Sequence, residues 1–225
     1  MPSDSHFTPA LFGFLGELAL NNDRGWFNEN RERYQRDVRD PILRFIADFA
    51  PRLTGISLYF VADSRPNGGS MFRIYRDIRF SRDKSPYKGH AGIQFRHELA
   101  KDAHAPGFYL HLEPGAPYTG AGLWHPDSAT LAKIRGAIVA DPGRWTAALP
   151  GDGFELSGES LVRPPRGFDP DHPLIEDLKR RDFVAGTALT EEQVCSPDFL
   201  DEYTELCYAV APLVEHLTRA VGLNF

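Results

Sequence analysis

Cysteine is scarce in this chain: Cys195 and Cys207 are the two in 225 residues. They form neither a C-x-x-C pair nor a dense framework, which excludes a disulfide-stapled scaffold and points to two free thiols in a reducing compartment. Long apolar runs are missing too. None approaches the roughly 18 residues that would mark a membrane span. The start, MPSDSHFTP, has no basic n-region and no apolar h-region, so no signal peptide, no membrane partner and a cytoplasmic location are expected. No G-x-S-x-G elbow, Walker loop or full G-x-G-x-x-G fingerprint occurs, so nucleophilic hydrolysis and the usual forms of nucleotide binding lack support. Overall positive charge is also wanting. A formal net charge of −6 argues against a nucleic-acid coat protein.

Against that acidic background stands the stretch Phe72 to Lys88, FRIYRDIRFSRDKSPYK. Arg73, Arg76, Arg79, Arg82, Lys84 and Lys88 are set against Asp77 and Asp83 alone, so the segment carries +4 and the remainder −10. Arginine is the planar, permanently charged side chain suited to bidentate carboxylate or phosphate contacts. Phe72, Ile74, Ile78 and Phe80 alternate with period two, broken by Arg76, which predicts a half-buried strand. A helical reading through Phe72, Tyr75 and Ile78 or Arg79 stays open. On the strand, Arg76 falls on the apolar face and requires a carboxylate from elsewhere in the chain, because an unpaired buried guanidinium is costly. Asp77 points the other way, between Arg73 and Arg79. Ser85-Pro86 ends the regular structure.

Elsewhere the chain reads as helices, then strands, then helices. Thr8-Pro9 opens a helix to about Leu20. A second carries Trp26, Phe27, Tyr34 and Val38, and a third restarts at Asp40-Pro41 and ends near Pro51. Strands are expected over Ser57–Ala62, Gly92–Glu98, Phe108–Glu113 and Tyr118–His125. Asn67-Gly68 serves as a hairpin turn that makes the Arg-rich stretch a return strand. A helix follows through Leu131, Ile134 and Ile138, then a short turn at Arg144–Leu149 and a strand near Gly153–Ser157. The proline-rich loop LVRPPRGFDPDHP is a linker or a lid. A short helix to Lys179, a strand over Phe183–Leu189, a capping box at Thr190-x-x-Gln193 and a long helix from Ser196-Pro197 to Gly222 complete the chain. The fold class is α+β: a central, mostly antiparallel sheet with N-terminal and C-terminal helices packed on it. One domain, 1–225, is expected, with a helical part at about 7–53, a sheet-forming part at about 56–126 and an α/β part at about 127–225.

The pattern R-x-x-R-D-x-R-F-x-x-D-K-x-x-Y is matched by Arg73, Arg76, Asp77, Arg79, Phe80, Asp83, Lys84 and Tyr87. It resembles the signature of the bacterial domain of unknown function 2461 family. The flanking stretches NNDRGWF (Asn21 to Phe27) and FYLHLEPG with GAGLWHP (Phe108 to Pro126) are similar to that family as well. The resemblance implies a chain of about this length and supplies no activity to carry over.

The candidate ligand-binding set is Arg73, Arg76, Asp77, Arg79, Lys84, Tyr87, Lys88 and Trp124. The candidate proton-transfer set is His111, Glu113 and His125. His111 and Glu113 share one strand face about 7 Å apart, close enough for a general acid/base pair. With His125 they could also hold a divalent metal, but none of the standard metal-binding spacings is present and no metal or cofactor is assigned. A small phosphorylated or carboxylated ligand is the favoured partner. Two alternatives stand beside it: a nucleic-acid or protein interaction module, and a structural ion-pair network with no ligand. Whether a reaction is catalysed is left open.

Overall fold

The computed structural model describes residues 5–79, 82–99 and 105–225. Helix α1 (Pro9–Leu20) begins on a proline, whose missing N–H is one that a first turn leaves unbonded anyway, and buries Leu11, Phe12, Phe14, Leu15 and Leu18. Asp23 caps α2 (Arg24–Glu29), its carboxylate accepting from the N–H groups of Gly25 and Trp26 at 2.8 and 3.0 Å. Helix α3 (Arg31–Tyr34) passes through a π-helical turn, Gln35–Arg39, into α4 (Asp40–Ile56). The break expected at Asp40-Pro41 is therefore no break: the wider π turn delivers Pro41 into the first turn of α4, where proline is tolerated. Likewise Pro51 does not end α4, which runs on to Ile56.

Among the described residues six strands form one antiparallel sheet, in the order β1 (Phe60–Val61), β2 (Ala91–His97), β3 (Gly107–Leu112), β4 (Tyr118–Leu123), β6 (Phe183–Ala188), β5 (Glu155–Ser157). The α+β architecture is thus as expected. Alternation sorts the side chains. Ile93, Phe95, Phe108, Leu110, Leu112 and Ala121 belong to a buried core that α1, α4 and α9 (Phe199–Ala220) complete with Phe14, Phe45, Phe49, Tyr203 and Val214. A second cluster, around Trp145, joins α9 through Leu213 and Leu217 to α5 (Ser128–Ala140), α6 (Pro142–Ala148), α7 (Ile175–Lys179) and the β6 end of the sheet. Successive turns of α9 thus serve both cores. The capping box at Thr190 and Gln193 is formed, at the start of α8 (Glu191–Val194). Cys195 and Cys207 are free thiols.

The opposite face of the sheet is rich in glycine and so bare of side chains at several positions. Gly92, Gly107, Gly120, Gly122 and Gly186 sit there in register with Tyr109, His111, Tyr118 and Val184. Two of these glycines make room for a close neighbour. Gly122 has φ of 127°, and a Cβ on it would lie 2.0 Å from the Phe183 carbonyl oxygen. A Cβ on Gly92 would lie 2.7 Å from the Tyr109 hydroxyl.

The Arg-rich stretch is not the strand that its alternation predicts. Its start completes the outer edge of β2: the N–H of Gln94 bonds Ser70, Met71 bridges Ile93, and the N–H of Phe72 bonds Gly92. The chain then leaves as an arm. Tyr75 bridges Tyr87, and two backbone bonds, Arg76 N–H to Pro86 and Lys88 N–H to Ile74, close its root. Beyond that root, Asp77 accepts from the N–H of Arg79 at 3.2 Å and Asp83 from that of Ser85 at 2.9 Å. Such Asx turns take up the backbone donors a strand ladder would need. Phe80 and Ser81, part of the expected strand, lie outside the described residues. The Ser57–Ala62 strand shrinks to Phe60–Val61, and it pairs with β2, not with the Arg-rich stretch.

Candidate functional site

Helix α2 and the turn before it hold the arm. The side-chain amide of Asn22 donates to the carbonyl of Tyr87 and its oxygen accepts from the Tyr87 N–H, both at 3.0 Å. Phe27 stacks on the Tyr87 ring at 4.1 Å. Tyr87, expected to touch ligand, is therefore a buried anchor. Arg24 and Asn28 of α2, with Tyr75, Arg76, Ile78, Pro86 and Tyr87, line a shallow recess of about 320 Å³.

Both carboxylates of the arm are taken up by its own arginines. Arg79 grips Asp77, with Nη2 to Oδ2 at 2.6 Å, and Arg76 pairs with Asp83. Hydrogen bonds from Arg79, side chain first, hold the Asp77 carboxyl at about 2; Ser85, then Arg76, do the same for Asp83, also about 2. Lys84 donates to the Ile78 carbonyl at 2.9 Å. Arg76 is exposed, not on a buried apolar face, and its carboxylate comes from seven residues on rather than from a distant part of the chain. Asp77 holds Arg79 and reaches Arg73 only through its field.

At the arm's root the balance differs. Lys88 is half-buried, with its ammonium 5.3 Å from the centre of the Phe72 ring. It makes no ion pair among the described residues. Desolvation and then the neighbouring charge of Arg73 pull its pKa down, the signature of a cation lacking a counterion. Beside it His90 packs on His111, ring centres 4.3 Å apart. Burial, then His111 and Lys88, bring the His90 pKa to about 4.

His111 is 6 % exposed and bonded at both ring nitrogens. Nδ1 lies 2.9 Å from the Tyr109 hydroxyl and Nε2 lies 3.0 Å from Glu113 Oε2. In the neutral ring, Tyr109 donates to Nδ1 and Nε2–H donates to the carboxylate. Tyr118 stacks on the same imidazole at 4.5 Å. Burial raises the pKa of both tyrosines, so they are neutral phenols. Phe72, Tyr109, Tyr118 and Trp124 wall a groove of about 300 Å³ whose floor is Gly107, Gly120, Ala121 and Gly122. Tyr109, His111 and Glu113 thus form a hydrogen-bonded chain from that groove to solvent.

His125 stands elsewhere. In the β3–β4 register His111 faces Tyr118 at one end and Gly107 faces Gly122 at the other, and His125 follows beyond that far end. Its backbone N–H donates to the buried Asp182 carboxylate at 2.7 Å and its Nδ1 lies 3.3 Å from the same oxygen. This turn-locking role, at φ of 49°, separates it from His111 and Glu113. Trp124, packed against His125 with ring centres 4.1 Å apart and a 37° tilt, does line the groove. The proline-rich loop contributes nothing to the groove's lining; its Phe168 packs on the second core. His90, Tyr109 and Tyr118 are absent from the sequence-based set. His90 lies two positions before Gly92, so it shares the face of Gly92 and His111, but only the β2–β3 register makes that visible.

No curated protein matches this chain in sequence. The model of a family described as conserved hypothetical protein (DUF2461) matches residues 10–216, a span containing the helices of the N-terminal part, the whole sheet and most of α9. The chain belongs to the DUF2461 family.

Proposed function

We propose that the protein binds a small anionic ligand, phosphorylated or carboxylated, on the bare face of the sheet. The anionic group meets Lys88 and Arg73 at the root of the arm, and the body of the ligand lies in the aromatic groove against Tyr109, Tyr118 and Trp124. One observation carries the reading: Lys88 is partly desolvated beside Arg73 and His90, and it makes no ion pair with a carboxylate of the described residues. Burying such a charge excess is expensive unless an anion completes it. Glycine in the floor lets a ligand approach the backbone closely, and the flat walls suit a planar body. The Tyr109–His111–Glu113 chain is placed to move a proton to or from that ligand. The arm's tip supports a different role, a local ion-pair network, for Arg76, Asp77, Arg79 and Asp83.

A thermal-shift series with phosphate, nucleoside monophosphates and dicarboxylates, in chelator and at low salt, tests this. One ligand class at 100 times its Kd stabilises by about 2.7 kcal/mol, or roughly 5–10 °C for a chain of this size. That shift is expected to vanish in Lys88→Ala and to survive in Arg79→Ala. A shift that Arg79→Ala removes and Lys88→Ala keeps contradicts the proposal.

A further inference from the structure

The geometry points to a binding site for a divalent transition-metal ion formed by His90, His111 and Glu113. One donor atom from each lies within 4.8 Å of the other two. Bonds of about 2.1 Å at tetrahedral or octahedral angles need donors roughly 3.0–3.4 Å apart. His111 Nε2 and Glu113 Oε2 already meet that spacing at 3.0 Å. Only His90 has to close, by side-chain rotation, and its ring already faces His111 at 4.3 Å with a 34° tilt. Neither of its nitrogens hydrogen-bonds a described residue, so a lone pair is available.

The backbone builds the set from adjacent strands. His111 lies in β3 and Glu113, two positions on, is the first residue past its end, while His90 just precedes β2, whose Gly92 pairs with His111. All three therefore project on the bare face. The absent side chain at Gly92 leaves the space in which the Tyr109 hydroxyl reaches His111 Nδ1. That bond is what a ligating histidine requires, its second nitrogen held by an oxygen. On metal binding the His111 proton resides on Nδ1, Nε2 gives its lone pair to the ion, and the Tyr109 hydroxyl turns from donor to acceptor. No net proton is released from the ring.

Two imidazoles and one carboxylate suit zinc or the neighbouring first-row ions rather than magnesium or calcium, which prefer oxygen alone. Three protein ligands leave positions open, and the site then carries a net positive charge beside Lys88. The inference does not depend on the anion proposal, and the two separate experimentally because Lys88 acts oppositely in them.

The test is calorimetric titration of the chelator-stripped full chain with Zn²⁺, alongside Co²⁺ for its visible d–d bands. The expected result is one equivalent bound, affinity lowered at least about 10-fold in His90→Ala and about 10–100-fold in Tyr109→Phe, with unchanged circular dichroism. Should His90→Ala not fold, Glu113→Gln, at a side chain 48 % exposed, gives the same reading. Lys88→Ala is expected to tighten Zn²⁺ in the absence of anions while abolishing anion binding. Failure of the wild type to bind one equivalent, or undiminished binding in His90→Ala or Glu113→Gln, overturns the metal site. Either result leaves the anion titration in chelator untouched.

Discussion

Gly92 shows how a residue without a side chain can set the chemistry of its neighbours. In Gly92→Ala the new methyl would meet the end of a flexible phenol, 2.7 Å away, rather than backbone. The expected outcome is a fold within about 1–2 kcal/mol of wild type but a broken Tyr109–His111 bond, read as a shift of the His111 Nδ1 resonance in ¹⁵N NMR. An unshifted resonance would mean that the hydroxyl does not set the tautomer. His216 gives a pH test of the same scale. Its Nε2 is buried with no hydrogen-bond partner among the described residues, and burial first, then Arg144, lowers its pKa. With the folded value below the unfolded one near 6.5, the unfolded chain takes up more protons in acid. This contribution to stability is intact above about pH 6.5 and is lost as pH falls toward the folded value. His216→Phe is expected to flatten the drop in Tm between about pH 7.5 and about pH 5; an equal drop in both proteins would remove His216 from the cause.

Among the elements, the arm departs most from its sequence, and the reason is specific. Alternation from Phe72 to Phe80 reports which residues are half-buried, not whether a partner strand lies alongside, and Asp77 and Asp83 spend backbone donors on turns. The other strands were legible because β3 alternates cleanly between Phe108, Leu110, Leu112 and Tyr109, His111, and the helices because their caps and prolines mark the starts. Register is not legible in a single sequence, so nothing in it sets His90 beside His111 or His125 apart from them. The clamp on the arm's root yields its own expectation. Asn22→Ala removes two hydrogen bonds to Tyr87 and is expected to cost about 1–3 kcal/mol, with hydrogen exchange quickened at Arg76 and Lys88. Uniform exchange across the chain would argue against a local clamp. In β4, Gly122→Ala sets a methyl against the Phe183 carbonyl in a left-handed conformation and is expected to cost at least about 2–3 kcal/mol, measurable by urea denaturation.

For the whole molecule, charge distribution is what the proposal rests on. A chain of net charge −6 is unfavourable for a long polyanion, and the proposed site differs from the arm's tip in that its cation, Lys88, is half-buried and makes no ion pair among the described residues, whereas Arg76 and Arg79 are exposed and hold Asp83 and Asp77. Two cores joined through α9 keep the sheet rigid behind that region, so the groove is a property of the fold and not of a single loop. The most direct measurement is isothermal titration, in chelator at low salt, of the ligand class that stabilises the wild type, repeated with Lys88→Ala and Arg79→Ala. One site is expected, weakened at least about 10-fold by loss of Lys88 and little changed by loss of Arg79. Equal affinity in wild type and Lys88→Ala would contradict the account.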